Sequence, residues 1–353
     1  MRSVTALGEA RRRAMADWAH AARVSAGLVL PGLALVLAGR PELLIYAVFG
    51  SFAGMYGRAE TRALRLLHQT QGALLLLTGT VVGITLAQVG ADRPTVILAA
   101  VVFSIGGSLV ADFFGLRPEG PFYGVFALGA LAGMPTDLGS ATSLSLIALA
   151  SAALALVIGQ LTAGPGRPEK SVVAIVREQR LRSRQGALAH AVRYAAAVAL
   201  AGEAALLCGL EHVNWAIAGA AVTLAAADSR GRLLRGIHRV VGTIAGLVVT
   251  ALVLAPGFTP RTLAVAVICL LFPTELFMAV NYALALSFFT PMIMLMTELA
   301  EPIGVGELVK DRALGTMLGV VIALAVSLVV RDLSPGAEAS RAGAADRAID
   351  SGS

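Results

Sequence analysis

The chain has 353 residues, of which 57% are hydrophobic and 14% charged, with a mean hydropathy of +0.79 and a net charge of +6. A soluble globular protein of this composition would expose large apolar patches, so lipid is the solvent that fits. The basic excess calls for no nucleic-acid partner, because arginine-rich connections beside membrane spans are expected against anionic membrane lipids.

The apolar residues fall in stretches of roughly 15 to 22, near the ~20 that a helix needs to cross ~30 Å of hydrocarbon. They do not alternate with polar residues, and backbone in lipid must satisfy its own hydrogen bonds, so each stretch is read as a helix. The fold class is therefore an all-α polytopic membrane protein with about twelve transmembrane helices. Residues 1–21 form a cytoplasmic N-terminal segment carrying Arg11, Arg12 and Arg13. The apolar run Val24–Ala38 ends in no small-residue cleavage pattern, so it is read as a span and not as a signal peptide.

A first transmembrane repeat, 22–164, is expected to hold spans at 23–39, 42–57, 69–89, 94–112, 120–135 and 142–163. A basic linker follows at 165–186, with Pro165 and Pro168, too short for a soluble domain. The second repeat, 187–332, is expected to hold spans at 188–208, 212–227, 237–255, 262–280, 281–298 and 311–331. The second, fifth and eighth spans are short and Gly-rich, so they are expected to pair tightly or re-enter. The tail 333–353, rich in Ala, Ser, Gly and charge, reads as disordered.

Alternate connections divide the charge unevenly. Of the 28 basic residues, only Arg40, Arg93, Arg261, Lys310 and Arg312 fall on the side that collects Glu211, Glu298, Glu301 and Glu307. The positive-inside rule then places both termini in the cytoplasm and the protein in the cytoplasmic membrane. Arg62-Ala-Leu-Arg65-Leu-Leu-His68 returns as Arg232-Leu-Leu-Arg235-Gly-Ile-His238, and Arg23 matches Arg193, each pair 170 residues apart. Because the cluster faces the same side twice, the repeats are expected to be parallel, related by an axis along the membrane normal.

Arg239-Val-Val-Gly242-Thr243-Ile-Ala-Gly246 and Arg312-Ala-Leu-Gly315-Thr316-Met-Leu-Gly319 share one pattern, Arg-x-x-Gly-Thr-x-x-Gly. Here, and in the basic run Arg230–Arg239, the chain resembles the fusaric-acid-resistance, or aromatic-acid-exporter, family of bacterial membrane proteins. The resemblance covers mainly His190 to Arg331. It implies efflux of small aromatic or other organic acids, and a distant likeness to plant malate channels whose basic residues on corresponding helices face the anion path. Many members carry a long soluble insert between the halves, which is absent here.

The residues themselves support several readings. Arg239 and Arg312 each open a face of small residues where another backbone can approach closely. A guanidinium there can hold a carboxylate with two hydrogen bonds. Alternatively, Arg239 snorkels to headgroups and Arg312 pairs with Asp311 or Glu307. Thr243, Thr316 and Thr290 join the arginines as candidate substrate-binding residues. Glu203, inside the seventh span, is a candidate for a coupling proton or for neutralising Arg312. Glu275 in Phe272-Pro273-Thr274-Glu275 is the second proton candidate. Pro273 and Pro291 are expected to interrupt their helices and free carbonyls for a solute.

Met292, Met294 and Met296 with Phe288 and Phe289 read either as an adaptable wall for a ring-bearing ligand or as packing. His68 and His238 are expected to be solvated at the interface, and Asn214-Trp215 to anchor the eighth span there. Cys208 and Cys269 lie in apolar segments and are expected to be buried and unpaired, with no metal cluster. No nucleophile elbow, Walker loop or metal-spaced histidine pair occurs, so neither an enzymatic activity nor a cofactor is expected. The leading expectation is a secondary, proton-coupled exporter of a small organic anion. A passive anion channel and a non-transporting scaffold are the alternatives, and a homodimer is compatible with the Gly-rich faces.

Overall fold

The computed structural model describes residues 2–58, 60–117, 120–162, 186–226, 229–278, 280–302 and 304–330. The tail 333–353 and all of the linker except Gly186 lie outside the described residues. Among them, every regular element is helical. In chain order these are α1 (Arg2–Leu37), α2 (Leu44–Ser51), α3 (Arg62–Gln88), α4 (Arg93–Phe114), α5 (Phe122–Ala132) and α6 (Ala141–Leu161). There follow α7 (Ala187–Leu207), α8 (Val213–Leu224), α9 (Ser229–Leu254), α10 (Pro260–Met278), α11 (Tyr282–Ala300) and α12 (Val305–Val329).

Eight of them are long and apolar enough to cross a membrane: α3, α4, α6, α9, α10, α11, α12 and the Ala14–Leu37 part of α1. The sequence led to an expectation of about twelve spans, three of them short; eight helices meet both criteria. Helix α7 has the length, but His190, Arg193 and Glu203 dilute its hydropathy. The stretches expected to be weak are short helices, Pro41–Met55 (α2 with a 3₁₀ turn at each end), α5 and α8. At 1.5 Å per residue an 11- or 12-residue helix spans only about 17 Å. Such helices are tolerated at membrane depth because protein encloses them. All residues of α2, all of α5 but Ala132 and all of α8 but Asn214 are buried, as all-round apolar helices should be. The long helices carry the opposite signature, with Leu74, Leu98, Leu146, Val248 and Leu328 pointing outward toward lipid.

Packing joins helices from distant parts of the chain. Helix α6 packs on α2 and α12 on α8; α3 packs on α5 and α9 on α11; α4 packs on α7 and α10 on α1. At the centre Phe49, Phe52, Tyr123, Phe126 and Phe289 from α2, its following turn, α5 and α11 interlock in edge-on and tilted contacts. The methionines of α11 belong to this core: Met292, Met294 and Met296 are all fully enclosed.

Contacts between connections define two ends. At one, Arg40 donates to the Leu138 carbonyl, Gln88 to the Gly139 carbonyl, Arg93 pairs with Glu211, and Asp311 accepts from the Glu211 amide. At the other, Arg65 reaches the Gly159 carbonyl, His190 faces Asp112, and Arg193 donates to the Val330 carbonyl. These are called the first and second mouths below.

Three expectations are corrected here. Helices α10 and α11 run through Pro273 and Pro291 without an unwound segment; each proline removes one ladder hydrogen bond and leaves the helix otherwise continuous. Cys208 and Cys269 are free but exposed: Cys208 caps the end of α7 in the turn that follows it, and Cys269 lies on an outward side of α10. His68 is buried and faces Glu60 at 2.7 Å, in place of being solvated.

The glycines of the repeated pattern sit where backbones meet. A Cβ on Gly242 would lie 2.4 Å from the Ala283 carbonyl oxygen, and one on Gly319 would lie 2.2 Å from that of Ala216. Gly319→Leu must therefore separate α12 from α8, costing ~1–3 kcal/mol or more. Its thermal unfolding midpoint in detergent should fall clearly. Gly306→Ala, with nothing within 4 Å of its added carbon, should hold or raise the midpoint. Equal midpoints for the two variants would refute this packing.

Candidate functional site

Helices α9 and α12 are antiparallel neighbours, and a Cβ on Gly236 would meet Val320 at 2.9 Å. From that contact the helical rise sets the register: Arg239 lies about level with Thr316, and Thr243 about level with Arg312. Within each copy the Arg and Thr are four residues apart, so they share a helix face, while the intervening glycines seat the neighbouring helix. The two copies of the pattern thus place two Arg–Thr levels back to back in the interior.

Arg312 is fully buried and Arg239 is 1% exposed. The Arg312 guanidinium carbon lies 4.2 Å from the centre of the Trp215 ring, which belongs to α8. Neither Nε nor either terminal nitrogen of Arg312 has a hydrogen-bond partner among the described residues. Arg239 reaches only the Tyr282 hydroxyl, at 3.5 Å, and its Nε and second terminal nitrogen are unpartnered. The two cations are close enough to repel one another. Around them the hydroxyls of Thr243, Thr316 and Thr290 and the Trp215 indole nitrogen are also buried and unpartnered. Thr290, which meets Gly246, stands about one helical turn beyond Thr243.

None of the carboxylates expected near Arg312 pairs with it: Glu307 is exposed in the first turn of α12. Asp311 Oδ2 accepts from the amides of Glu211 and His212 at 3.0 and 3.1 Å and lies 3.0 Å from His212 Nδ1. Glu203, expected inside the bundle, is exposed on α7. Gly202 packs against Ile97 of α4, and one residue further the helix has turned by ~100°, which carries Glu203 to the outer face within about one turn of the helix end. Glu275 is buried on α10, where its Oε2 lies 3.4 Å from His20 Nε2 of α1.

A cavity lies at each mouth. At the first, about 550 Å³ is lined by Arg93, Glu211, His212, Asn214, Lys310 and Asp311 among others, immediately before Trp215 and Arg312 in their helices. Gly209, with a positive φ of 69°, turns the chain over this mouth from α7 into α8. At the second, about 280 Å³ is lined by Arg235, His238, Tyr282 and Met278 with three smaller neighbours. Arg235 lies over the Tyr282 ring at 4.8 Å, and Tyr282 in turn meets Arg239. Tyr282 thus links the lining of the second-mouth cavity to Arg239.

Both arginines and the three threonines named from the sequence lie in this buried cluster; Trp215, which adjoins it, and His20, which faces Glu275, were not among the residues named as site candidates. Trp215 was expected at the lipid interface but is 1% exposed beneath Arg312. The signal that could have found it is its place in a short apolar helix, which must be enclosed.

These features define a multi-pass α-helical membrane protein with a buried, cationic, unpaired polar centre. Residues 186–326 match the family model described as fusaric acid resistance protein-like, a stretch that contains both arginine motifs and supports the resemblance read from them. No curated protein and no solved structure matches the chain. The match and the apolar helices together point to a membrane transporter.

With Trp18 replaced by Phe, the only remaining indole is Trp215. Acetate added to that variant should then change the emission of Trp215 as it docks on Arg312. Arg312→Gln should abolish the response, and a response that survives this change would remove Arg312 from the site.

Proposed function

We propose that the protein is a secondary transporter of small organic anions, and that Arg312 and Arg239 are the charges that draw the anion through the interior. The observation that carries the reading is the unpaired state of Arg312. On insertion scales a charged side chain near the bilayer centre costs about 2.5–3.5 kcal/mol, and an arginine cannot shed its charge. Two such cations at close quarters, ringed by idle donors and held apart from every nearby carboxylate, are balanced by an anion that comes and goes. A carboxylate suits them because a guanidinium can grip both of its oxygens.

In this reading the second mouth is cytoplasmic, since Arg62, Arg65, Arg232 and Arg235 gather there, and the chain sits in the cytoplasmic membrane with both termini inside. The parallel packing pairs, α6 on α2 with α12 on α8 and α4 on α7 with α10 on α1, are what two six-helix repeats would produce. Transport runs outward, driven by a proton gradient, and Glu275 is the one of the two expected proton carriers inside the bundle.

Inside-out vesicles should accumulate labelled benzoate under an imposed pH gradient, and Arg312→Gln or Arg239→Gln should lower the initial rate roughly tenfold, equivalent to ~1.4 kcal/mol. Rates unchanged in both variants would sink the arginine pathway, whereas flux that follows the anion's own gradient and ignores pH would identify a passive channel. Cysteines placed at 62 and 232 should react with an impermeant reagent only from the cytoplasmic side. Labelling from outside intact cells would invert the threading.

A further inference from the structure

Four of the five histidines face a carboxylate: His68 with Glu60, His190 with Asp112, His212 with Asp311, and His20 with Glu275. In the first three pairs one partner is 20% exposed or more, so water completes the site. His20 and Glu275 are only 4% and 2% exposed, and they join α1 to α10, the first helix of one half to a helix of the other.

The pair is incompletely satisfied. Its link is a single contact of 3.4 Å, and Glu275 Oε1 is buried without a partner. Other titratable and charged groups around it come from several elements. Tyr123 of α5 is within electrostatic range of Glu275, and Tyr56, Arg235 and Tyr282 surround Tyr123 in turn. On α1 itself, Asp17 is held by Arg58 at 2.9 Å, and Arg23 lies near Arg58 and Arg65. Met278, about one turn beyond Glu275, lines the second-mouth cavity with Arg235, His238 and Tyr282.

We infer that His20 and Glu275 form one proton-binding site, loaded from the second mouth, whose occupancy is linked to the anion on the arginines. With one proton between them the two groups are neutral overall, as imidazolium and carboxylate or as imidazole and carboxyl. A second proton, taken from water at the second mouth by a carboxylate oxygen of Glu275, leaves an imidazolium beside a neutral carboxyl and raises the enclosed charge by one. That added charge is costly in a dry interior unless an anion stands nearby. An anion on the arginine pair, nearest at Arg239, therefore favours the second proton, and by reciprocity the proton favours the anion. When the anion leaves, the same oxygen returns its proton to water. Because the pair bridges the two halves, the charge change acts at the α1–α10 contact.

The inference rests on the anion-transport reading, and its test separates the two. In liposomes holding the full chain, the ratio of pH-driven uptake to equilibrium exchange of labelled benzoate should fall roughly tenfold in Glu275→Gln, with a smaller fall in His20→Gln. In infrared difference spectra of the wild-type protein, benzoate should raise a protonated-carboxyl stretch, and that band should be absent from Glu275→Gln and shifted in His20→Gln. A wild-type ratio in both variants, or a benzoate-dependent band that persists in Glu275→Gln, would overturn the proton site while leaving the arginine pathway standing. If wild-type protein shows no exchange at all, the transport reading fails first; a titrating band assigned to Glu275 would still mark the proton site, and its absence would remove that too.

Discussion

The arrangement depends on one constraint: a guanidinium that cannot lose its charge is held in an apolar interior against the face of an indole, with no carboxylate opposite. Stacking on Trp215 is a partial substitute for water, because the ring face attracts the cation and leaves the in-plane N–H groups free. A full ion pair would have occupied the N–H groups that here stay without a partner among the described residues. Asp311 shows that a carboxylate was available in the adjacent residue and is turned to the α7–α8 connection instead. The same local geometry that denies Arg312 its neighbour thus fixes the wall of the first mouth.

Small residues make this arrangement possible. Gly315 and Gly319 bring α12 against the backbone of α8, which sets Trp215 beneath Arg312, and Gly242 and Gly246 do the same for α9 against α11. The buried short helices follow from the same need. A long helix on every side would have to expose lipid-facing length, whereas α2, α5 and α8 are enclosed along almost their whole length, and the first-mouth cavity reaches the ends of α5 and α8. Stability of the bundle and access to its centre are therefore set by the same contacts.

Much of the fold was legible because hydropathy reports depth. The stretches of the long helices, the three weak spans and the paired arginine motifs could all be read from composition and spacing. Rotation about the helix axis could not, since a single residue step turns a side chain by ~100° and a uniformly apolar surround gives no phase. That is why Glu203 of α7 proved to face outward, and why Cys269 of α10 was assigned to the interior. Trp215 and His68 failed in the other direction: an aromatic or a histidine at a helix entrance is ordinarily interfacial, and only the packing of distant helices encloses these two. His20 carried no signal, because its partner lies on α10, far along the chain.

The two halves use matching positions differently. Arg65, the counterpart of Arg235, spends its donors on the carbonyls of Gly57, Glu60 and Gly159 and so serves the structure. Gln69, the counterpart of Arg239, is neutral and donates to the Gly54 carbonyl at 3.4 Å. Both unpaired arginines therefore come from the second half, which is also the part that matches the family model. Under the proposed two-fold relation, two equivalent anion sites would have placed several uncompensated cations in one apolar bundle, each raising the cost of the others. Confining the charge to one half keeps that cost to a single cluster, and it leaves the first half free to supply α1, whose His20 reaches across to the second.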